Sequence, residues 1–481
     1  MKSLLKNLID AFEDRTGLIG QMKQAALHKV PPGAKWLYVF GSATLFAFFL
    51  QVFTGIILAT TYVPSSGQAY DSLNFITNEA AFGHVVRGLH YFGASAMIIL
   101  IGLHTIRVFL TGSYKYPREV NWLTGALLMP LVLGMAFTGQ LLRWDQNGVW
   151  GVMVAAEQAG RTPFIGKYVA HFILAGDTVG GATLTRFYAL HVFIIPGLIF
   201  LLIGLHLYLV LRNGISEPPR SGHPVNPLTY RAEYHEMLER EGRPFWPDAA
   251  WRDVVFGFAM IVVVFALAWF VGPPALGNPP NPSLLHAVPR PDWYFLWYFA
   301  LFALMPPSLE SLAILSIPVV LGILFLCLPF INNKGERSPL RRPWAVAFVL
   351  ATLIMIGTLW HLGVKSPWSP DFSAKPLPAE VVRVTSGPAY EGAILFHQKG
   401  CEYCHNIDGY GGHRGPNLSY VADFMTEREM KLRIMNGRGN MPAFAAILKP
   451  QELADLLAFL ETRHRNAGLM AKPVVTQQDP R

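Results

Sequence analysis

The sequence predicts an all-α membrane protein: seven transmembrane helices, arranged as a four-helix bundle plus three more, with a small all-α extramembrane domain at the C-terminal end. Three observations predict it. Hydrophobic residues make up 52% of the 481 and charged residues only 15%, a balance that suits lipid better than a soluble globule. Apolar stretches long enough to cross a ~30 Å hydrocarbon core recur near 36–62, 83–110, 121–140, 185–211, 252–272, 310–331 and 343–363. After about residue 363 they stop, and a Pro-rich stretch leads into a short domain of mixed composition.

The spans carry an orientation. Met1–Lys35 is polar and amphipathic, without the apolar core of a cleavable signal peptide. Lys and Arg gather in that segment and in the loops after the second, fourth and sixth spans, and are sparse in the alternate loops. Positive loops stay inside, so the N-terminus is expected in the cytoplasm and the C-terminal domain outside. The net charge of +8 is thereby accounted for by one membrane surface, and no nucleic-acid partner is needed.

Within that topology the second span carries His90 and His104, and the fourth carries His191 and His206. Four helical turns take about 14.4 residues, so spacings of 14 and 15 put each pair roughly on one face, ~21–22 Å apart. A lone intramembrane histidine is usually a packed core group or part of a proton path. Two matched pairs on parallel spans point instead to two b-type haems, each iron held non-covalently by two imidazoles. His90 would pair with His191 near the outer face, and His104 with His206 near the inner. Gly41 and Gly55 in the first span, and Gly125 and Gly139 in the third, repeat with the same period of 14. Glycine inside a helix costs ~1 kcal/mol against alanine, so each wants a reason; close helix packing in lipid is one, and a haem edge is the other. Arg87 and Arg107 each sit three residues from a histidine. A buried arginine there needs an anion, and haem propionates would supply one.

The C-terminal domain announces a different haem. Cys401-Glu402-Tyr403-Cys404-His405 has the C-x-x-C-H form of c-type attachment, two thioethers with His405 as an axial ligand. A zinc or redox C-x-x-C is the rival, but no second ligand pair follows. Gly415-Pro416-Asn417-Leu418 does, and then Met441 in a glycine-rich stretch suits the sixth ligand of a class I monohaem cytochrome c. His/Met ligation raises the potential. Met435 is the competing thioether, set inside an expected helix. Cys327, in the sixth span, reads as a small buried hydrophobe.

These motifs resemble the cytochrome b of quinol:cytochrome c oxidoreductases, nearest the cytochrome b6f branch. The resemblance rests on VPPGAKWLY (30–38), RGLHYFGAS (87–95), GLHTIRVFLTGSYKYPREVNWLTG (102–125), TLTRFYALH (183–191), PDWY (291–294) and PLRRP (339–343). It implies a cytochrome b6-like four-helix dihaem bundle at 1–215 and a subunit-IV-like three-helix quinone-site region at 216–363. A Pro-rich linker at 364–386 and a cytochrome c domain at 387–481 complete the division. In the family the bundle glycines let haem edges pass against bare backbone. Asp292, where relatives usually carry Glu, is implied as a proton acceptor from quinol, with Tyr294 lining the same outer pocket. The resemblance further implies a separate Rieske [2Fe–2S] protein and a cytochrome c or terminal oxidase as acceptor. It also implies membrane lipid as surroundings, a homodimeric core, and a bacterial cytoplasmic membrane with the cytochrome c domain on its periplasmic side. Asp in place of Glu on a b6-type frame points to menaquinol.

Two positions depart from the family. Val39 stands where the b6f branch places a cysteine that binds an extra haem, so no thioether can form there. Arg143 replaces the proline of a Leu-Pro-Trp-Asp-Gln segment beside the quinol pocket. The expected activity is quinol oxidation with electron bifurcation and proton translocation. The second reading is a non-bifurcating dihaem anchor that feeds its own cytochrome c; it would need neither the PDWY loop nor the last three spans.

Overall fold

The computed structural model describes residues 2–281, 290–305, 307–366, 368–437, 441 and 443–465. Arg438–Asn440 and Pro442 of the glycine-rich stretch and residues 466–481 of the expected cytochrome c domain lie outside the described residues. By packing the chain divides into two compact units: Met1–Leu296 with Met305–Thr358, and Trp297–Leu304 with Leu359–Arg481.

Seven helices are long and apolar enough to cross a membrane: Phe40–Ala59, Gly83–Leu110, Glu119–Leu141, Gly181–Asn213, Phe245–Phe270, Leu309–Ile331 and Pro343–Lys365. The all-α expectation holds; among the described residues the only sheets are two ladders of two-residue strands. The first four spans each contribute to one core, where Ala43, Ala47, Phe48, Met97, Leu100, Val132 and Ile199 are buried. Alanine at two successive turns of the first span lets its backbone approach the second closely, the usual device where lipid gives no hydrophobic drive between helices.

The fourth span explains the unequal histidine spacing. Fifteen steps of a regular helix overshoot four turns by roughly 60°, which would carry His206 off the face of His191. Residues Leu190–Ile194 form a π-helical turn that contains His191, and the helix continues regularly from Ile195 to Asn213. A π-turn absorbs one surplus residue, so the two histidines return to a common face.

Short helices not read from the sequence lie between the spans: Ala69–Asn78, Gln146–Gly160, Gly166–Leu174 and the apolar stretch Trp293–Ala303. Asp145 starts the second of them, its Oδ1 accepting from Gly148 N at 2.8 Å as an N-cap. On the opposite side arginines close the end of the second span. Buried Arg342 donates to Phe109 O, Leu110 O and the Tyr114 hydroxyl. Arg337 reaches Thr111 O and pairs with Glu217. Cations here meet both the orphan carbonyls and the negative end of the helix dipole.

The second unit builds its own core from helices Pro388–Gln398, Glu427–Asn436 and Pro450–Glu461, around Phe396, Ile407, Leu456 and Phe459. Leu377, Val381 and Val382, within the stretch read as linker, are buried in this core. Arg463 fixes them by donating to Val381 O and Val382 O.

Deleting one residue of Val192–Ile194, between the two histidines, should be absorbed by closing the turn to regular helix, with b-haem content retained. Inserting one alanine should rotate His206 away and abolish one b haem. Haemochromogen spectra of the two purified variants check this.

Candidate functional site

All four bundle histidines face the interior between neighbouring spans. The His90 and His191 rings stand 6.2 Å apart between centroids, their planes at 71°. Two imidazoles bound through nitrogen to one iron, at ~2 Å per bond, would put their centroids roughly 6 Å apart. The outer pair therefore has room for a metal between its rings. Each predicted glycine abuts one imidazole. A Cβ on Gly41 would lie 3.0 Å from His104 Cε1, on Gly55 3.2 Å from His90, on Gly125 3.5 Å from His206 and on Gly139 2.7 Å from His191. The period of 14 is thus the period of the histidines seen from the adjacent helix.

The residue before three of those glycines orients the ring. Thr54, Thr138 and Thr124 place Oγ1 at 2.9, 3.0 and 2.8 Å from Nδ1 of His90, His191 and His206. Thr54 donates its own hydroxyl to Leu50 O and Thr138 to Gly134 O, so each oxygen is left to accept the Nδ1–H. Nε2 is then the nitrogen presented to a metal. Among the described residues His104 has no such threonine partner; Phe40, not a threonine, precedes Gly41. The Thr-Gly pairs were visible in the sequence and were not recognised as a signal.

A cavity of about 620 Å³ includes His104, His206, Arg107 and Tyr38 in its wall. Arg107 stacks over the Tyr38 ring at 3.7 Å and donates Nη1 to Ser113, but its buried Nε and Nη2 have no partner among the described residues. Orphaned guanidinium donors beside two imidazoles fit a haem propionate. Arg87 differs: it is 8% exposed and donates to Thr77 Oγ1 and Pro274 O, which binds the segment after the fifth span. The cavity extends to His28, Lys35, Val39, Ser42 and Asp253, with Ser42 donating to Asp253 Oδ1 at 2.6 Å. Ser42 and Asp253 escaped the sequence reading, being 211 residues apart.

At the outer loop Asp292 and Tyr294 come together: the Tyr294 hydroxyl donates to Asp292 Oδ2 at 2.9 Å. Burial pushes the Asp292 carboxyl above the usual carboxylate range, opposed by Tyr294 and by the charge of Arg143. Burial and the neighbouring carboxylate also raise Tyr294, which stays protonated. Trp293 Nε1 donates to Ser95 Oγ on the second span, holding the turn against the bundle.

In the second unit, Cys401, His405 and Met441 line one apolar cleft with Phe396, Leu418 and Phe444. His405 bonds Pro416 O through Nδ1 at 2.8 Å, which leaves Nε2 for a metal. Gly415 is needed there, since its Cβ would lie 2.5 Å from the His405 ring. Met435, the rival thioether, packs against the core instead.

Comparison with known proteins agrees with this architecture. Residues 95–279 match the family model described as cytochrome b (N-terminal)/b6/petB, and residues 280–376 match cytochrome b (C-terminal)/b6/petD. The menaquinol:cytochrome c reductase cytochrome b subunit of Bacillus subtilis is 40% identical over 224 residues, all of that protein and 45% of this chain. The chain belongs to the cytochrome b family. Its C-terminal part, residues 388–460, matches the model for cbb3-type cytochrome c oxidase subunit III, a cytochrome c. Cytochrome b6 of Synechococcus elongatus is 36% identical over its full length, 44% of this chain. Cytochrome b/c1 of Bradyrhizobium diazoefficiens is 29% identical over 74% of this chain and 50% of its own. A solved hyperthermophilic respiratory Complex III chain superposes with a TM-score of 0.62 at 28% identity, covering 74% of this chain and 91% of that one. This cytochrome b is therefore an integral membrane, haem-binding protein with a cytochrome c part.

Thr138→Val removes the acceptor for His191 Nδ1–H and makes the imidazole a weaker donor to iron. The midpoint potential of one b haem should rise by tens of mV, roughly one hydrogen bond at 59 mV per 1.4 kcal/mol. Redox titration of the b-band checks it. Met441→Ala should lower the c-haem potential by more than ~100 mV; an unchanged potential would assign the ligand to Met435.

Proposed function

We propose that this cytochrome b oxidises quinol, most simply menaquinol, in a respiratory quinol:cytochrome c oxidoreductase. In this reading His90 with His191 and His104 with His206 ligate two b haems, and His405 with Met441 ligates a c haem on Cys401 and Cys404. The b haems supply a one-electron path across the bilayer, and the c haem supplies the outlet. Arg107 is the propionate partner of the inner haem, with Arg87 in the corresponding place at the outer one. Residues 1–215, 216–363 and 387–481 form the bundle, the quinone-site region and the cytochrome c domain.

What carries the reading is the Asp292–Tyr294 pair on the outer loop of a chain that also holds a bis-imidazole site. Quinol oxidation releases two protons and two electrons. A buried carboxylate whose proton affinity is raised above the usual carboxylate range is suited to take one proton. Tyr294 orients it through its hydroxyl. The other proton and one electron go to a separate Rieske protein, for which this chain carries no cysteine set. The inner cavity, with Ser42 and Asp253, is the proposed site where quinone is reduced and takes up protons from the cytoplasmic side. The core is proposed to be dimeric, in a bacterial cytoplasmic membrane, with the cytochrome c domain outside. A cytochrome c or a terminal oxidase would be the acceptor.

The deciding experiment supplies quinol to the purified complex, blocks re-oxidation at the inner site and delivers an oxidant pulse through the c haem. The b haems should become more reduced as the c haem is oxidised. If b and c haems oxidise together, the chain is a linear conduit and bifurcation is excluded.

A further inference from the structure

The stretch that joins the last span to the cytochrome c core is held at several points, all within the second unit. Asp371 N donates to Tyr403 O at 2.7 Å, and the Phe372 and Tyr403 rings meet edge to face at 5.4 Å and 69°. Asp371 is itself fixed in a tight turn, its Oδ1 accepting from Ser373 N at 3.0 Å and from Ser373 Oγ at 2.6 Å. Earlier in the stretch, Trp368 O accepts from Arg414 Nη1 at 2.9 Å. The Trp368 ring packs against Phe299, 5.9 Å between centroids and inclined by 60°. Its Nε1 is buried and has no partner among the described residues. Taking an indole N–H out of water without an acceptor is unfavourable, and the packing of the ring has to outweigh it.

The points of attachment are not scattered. Tyr403 lies between the two cysteines of the C-x-x-C-H turn. Arg414 directly precedes Gly415, which abuts the His405 ring so closely that a Cβ there would lie 2.5 Å from it. These are separate turns of the chain. Gly415 N donates to Cys404 O at 2.6 Å, and His405 Nδ1 bonds Pro416 O at 2.8 Å, so the orientation of His405 depends on how the two turns meet. Trp368–Phe372 grips both of them, the first at Tyr403 through backbone and ring, the second at Arg414.

We infer that Trp368–Phe372 is a strap of the haem c site, and that Trp368 is its positioning residue: set between Phe299 and the Arg414 turn, it holds the turn that supports His405 against the turn that carries the cysteines. The inference rests on the reading of His405 as axial ligand of a haem attached at Cys401 and Cys404. A haem's potential follows the hydrogen bonding of its axial imidazole and the closure of its site to water. With the strap in place the two turns stay closed on each other. Without it they part more readily, water gains access on the histidine side, and the ferric form, which carries the extra positive charge, is favoured. The residues that join the domain to the last span thus also set a property of its haem.

The test uses the complete complex, with an electrode titration of the c band and covalent haem content read alongside. Trp368→Ala should favour the oxidised c haem about ten-fold, a fall of roughly 59 mV for one electron, with haem content kept and both b-haem potentials unmoved. Trp368→Phe keeps a ring against Phe299 and the carbonyl for Arg414, and should hold the wild-type potential. Phe372→Ala removes the ring on Tyr403 and should lower the potential in the same direction; it decides the matter if Trp368→Ala loses its haem. An unmoved potential in the alanine variants overturns the inference. So does an equal fall in Trp368→Phe, which would assign the effect to the indole N–H and not to the strap. His405→Ala separates the two levels. If it abolishes the low-spin c spectrum while the strap variants leave the potential in place, only this inference fails; if the spectrum is unchanged, the reading of His405 fails with it.

Discussion

An imidazole has two nitrogens, and one buried in a helix bundle can ligate predictably only if the other is already committed. In this chain three of the four bundle histidines have Nδ1 committed to a threonine hydroxyl one residue before a glycine. The rest of the bundle follows from that demand. The threonine must sit within hydrogen-bond reach, so the neighbouring helix must come close. Closeness leaves no space for a Cβ at the next position, hence glycine, with Gly139 the tightest case. The hydroxyl must also be satisfied in lipid, and it is, by a carbonyl one turn back in its own helix. The π-turn at Leu190–Ile194 belongs to the same logic, because an imidazole in the wrong rotation would waste every other contact. His104 stands outside the scheme; with no hydroxyl partner among the described residues, its ring lies against Gly41 and in the cavity wall.

The outer pocket is built differently, from loops rather than helices. A loop at membrane depth is tolerable only when its backbone polar groups are met inside the protein. Arg87, Tyr70, Asp145 and Gln146 all bond the backbone between Pro274 and Gly277 or just beyond it. Two of these are charged, and their charges are met by the loop backbone or by neighbouring donors. Structure and chemistry share the same side chains there.

How much of this was legible depended on whether the signal was periodic. The seven spans, the histidine pairs and the glycine repeat are periodic, and all reappear in the fold with boundaries shifted by a few residues. The C-x-x-C-H motif is local and needed no tertiary context. The π-turn left no mark, since Leu190–Ile194 is as apolar and helix-compatible as its flanks; only the odd spacing of 15 betrayed a misfit. The threonines were passed over because a mid-helix threonine normally bonds its own backbone, as these also do. Contacts such as Ser42 with Asp253, or Arg87 with Pro274, join residues nearly two hundred or more apart and have no sequence signature at all. The stretch at 364–386 misled in the opposite sense. Its prolines suggested an extended tether, yet Leu377, Val381 and Val382 are apolar at the positions that seal a core.

That packing constrains how electrons could leave. The last span runs to Lys365, and Asp371 N already donates to Tyr403 O within the C-x-x-C-H segment. Six peptide steps bridge the two points, a reach of roughly 20 Å when fully extended. A cytochrome c on so short a lead stays with the membrane chain and cannot travel as a soluble carrier to a distant acceptor. On the proposed function, the travelling must therefore be done by others: a Rieske head that swings between the quinol pocket and this domain, and an acceptor that comes to the domain. On that reading, fusion keeps the c haem within the complex and leaves the burden of motion to the iron–sulfur protein.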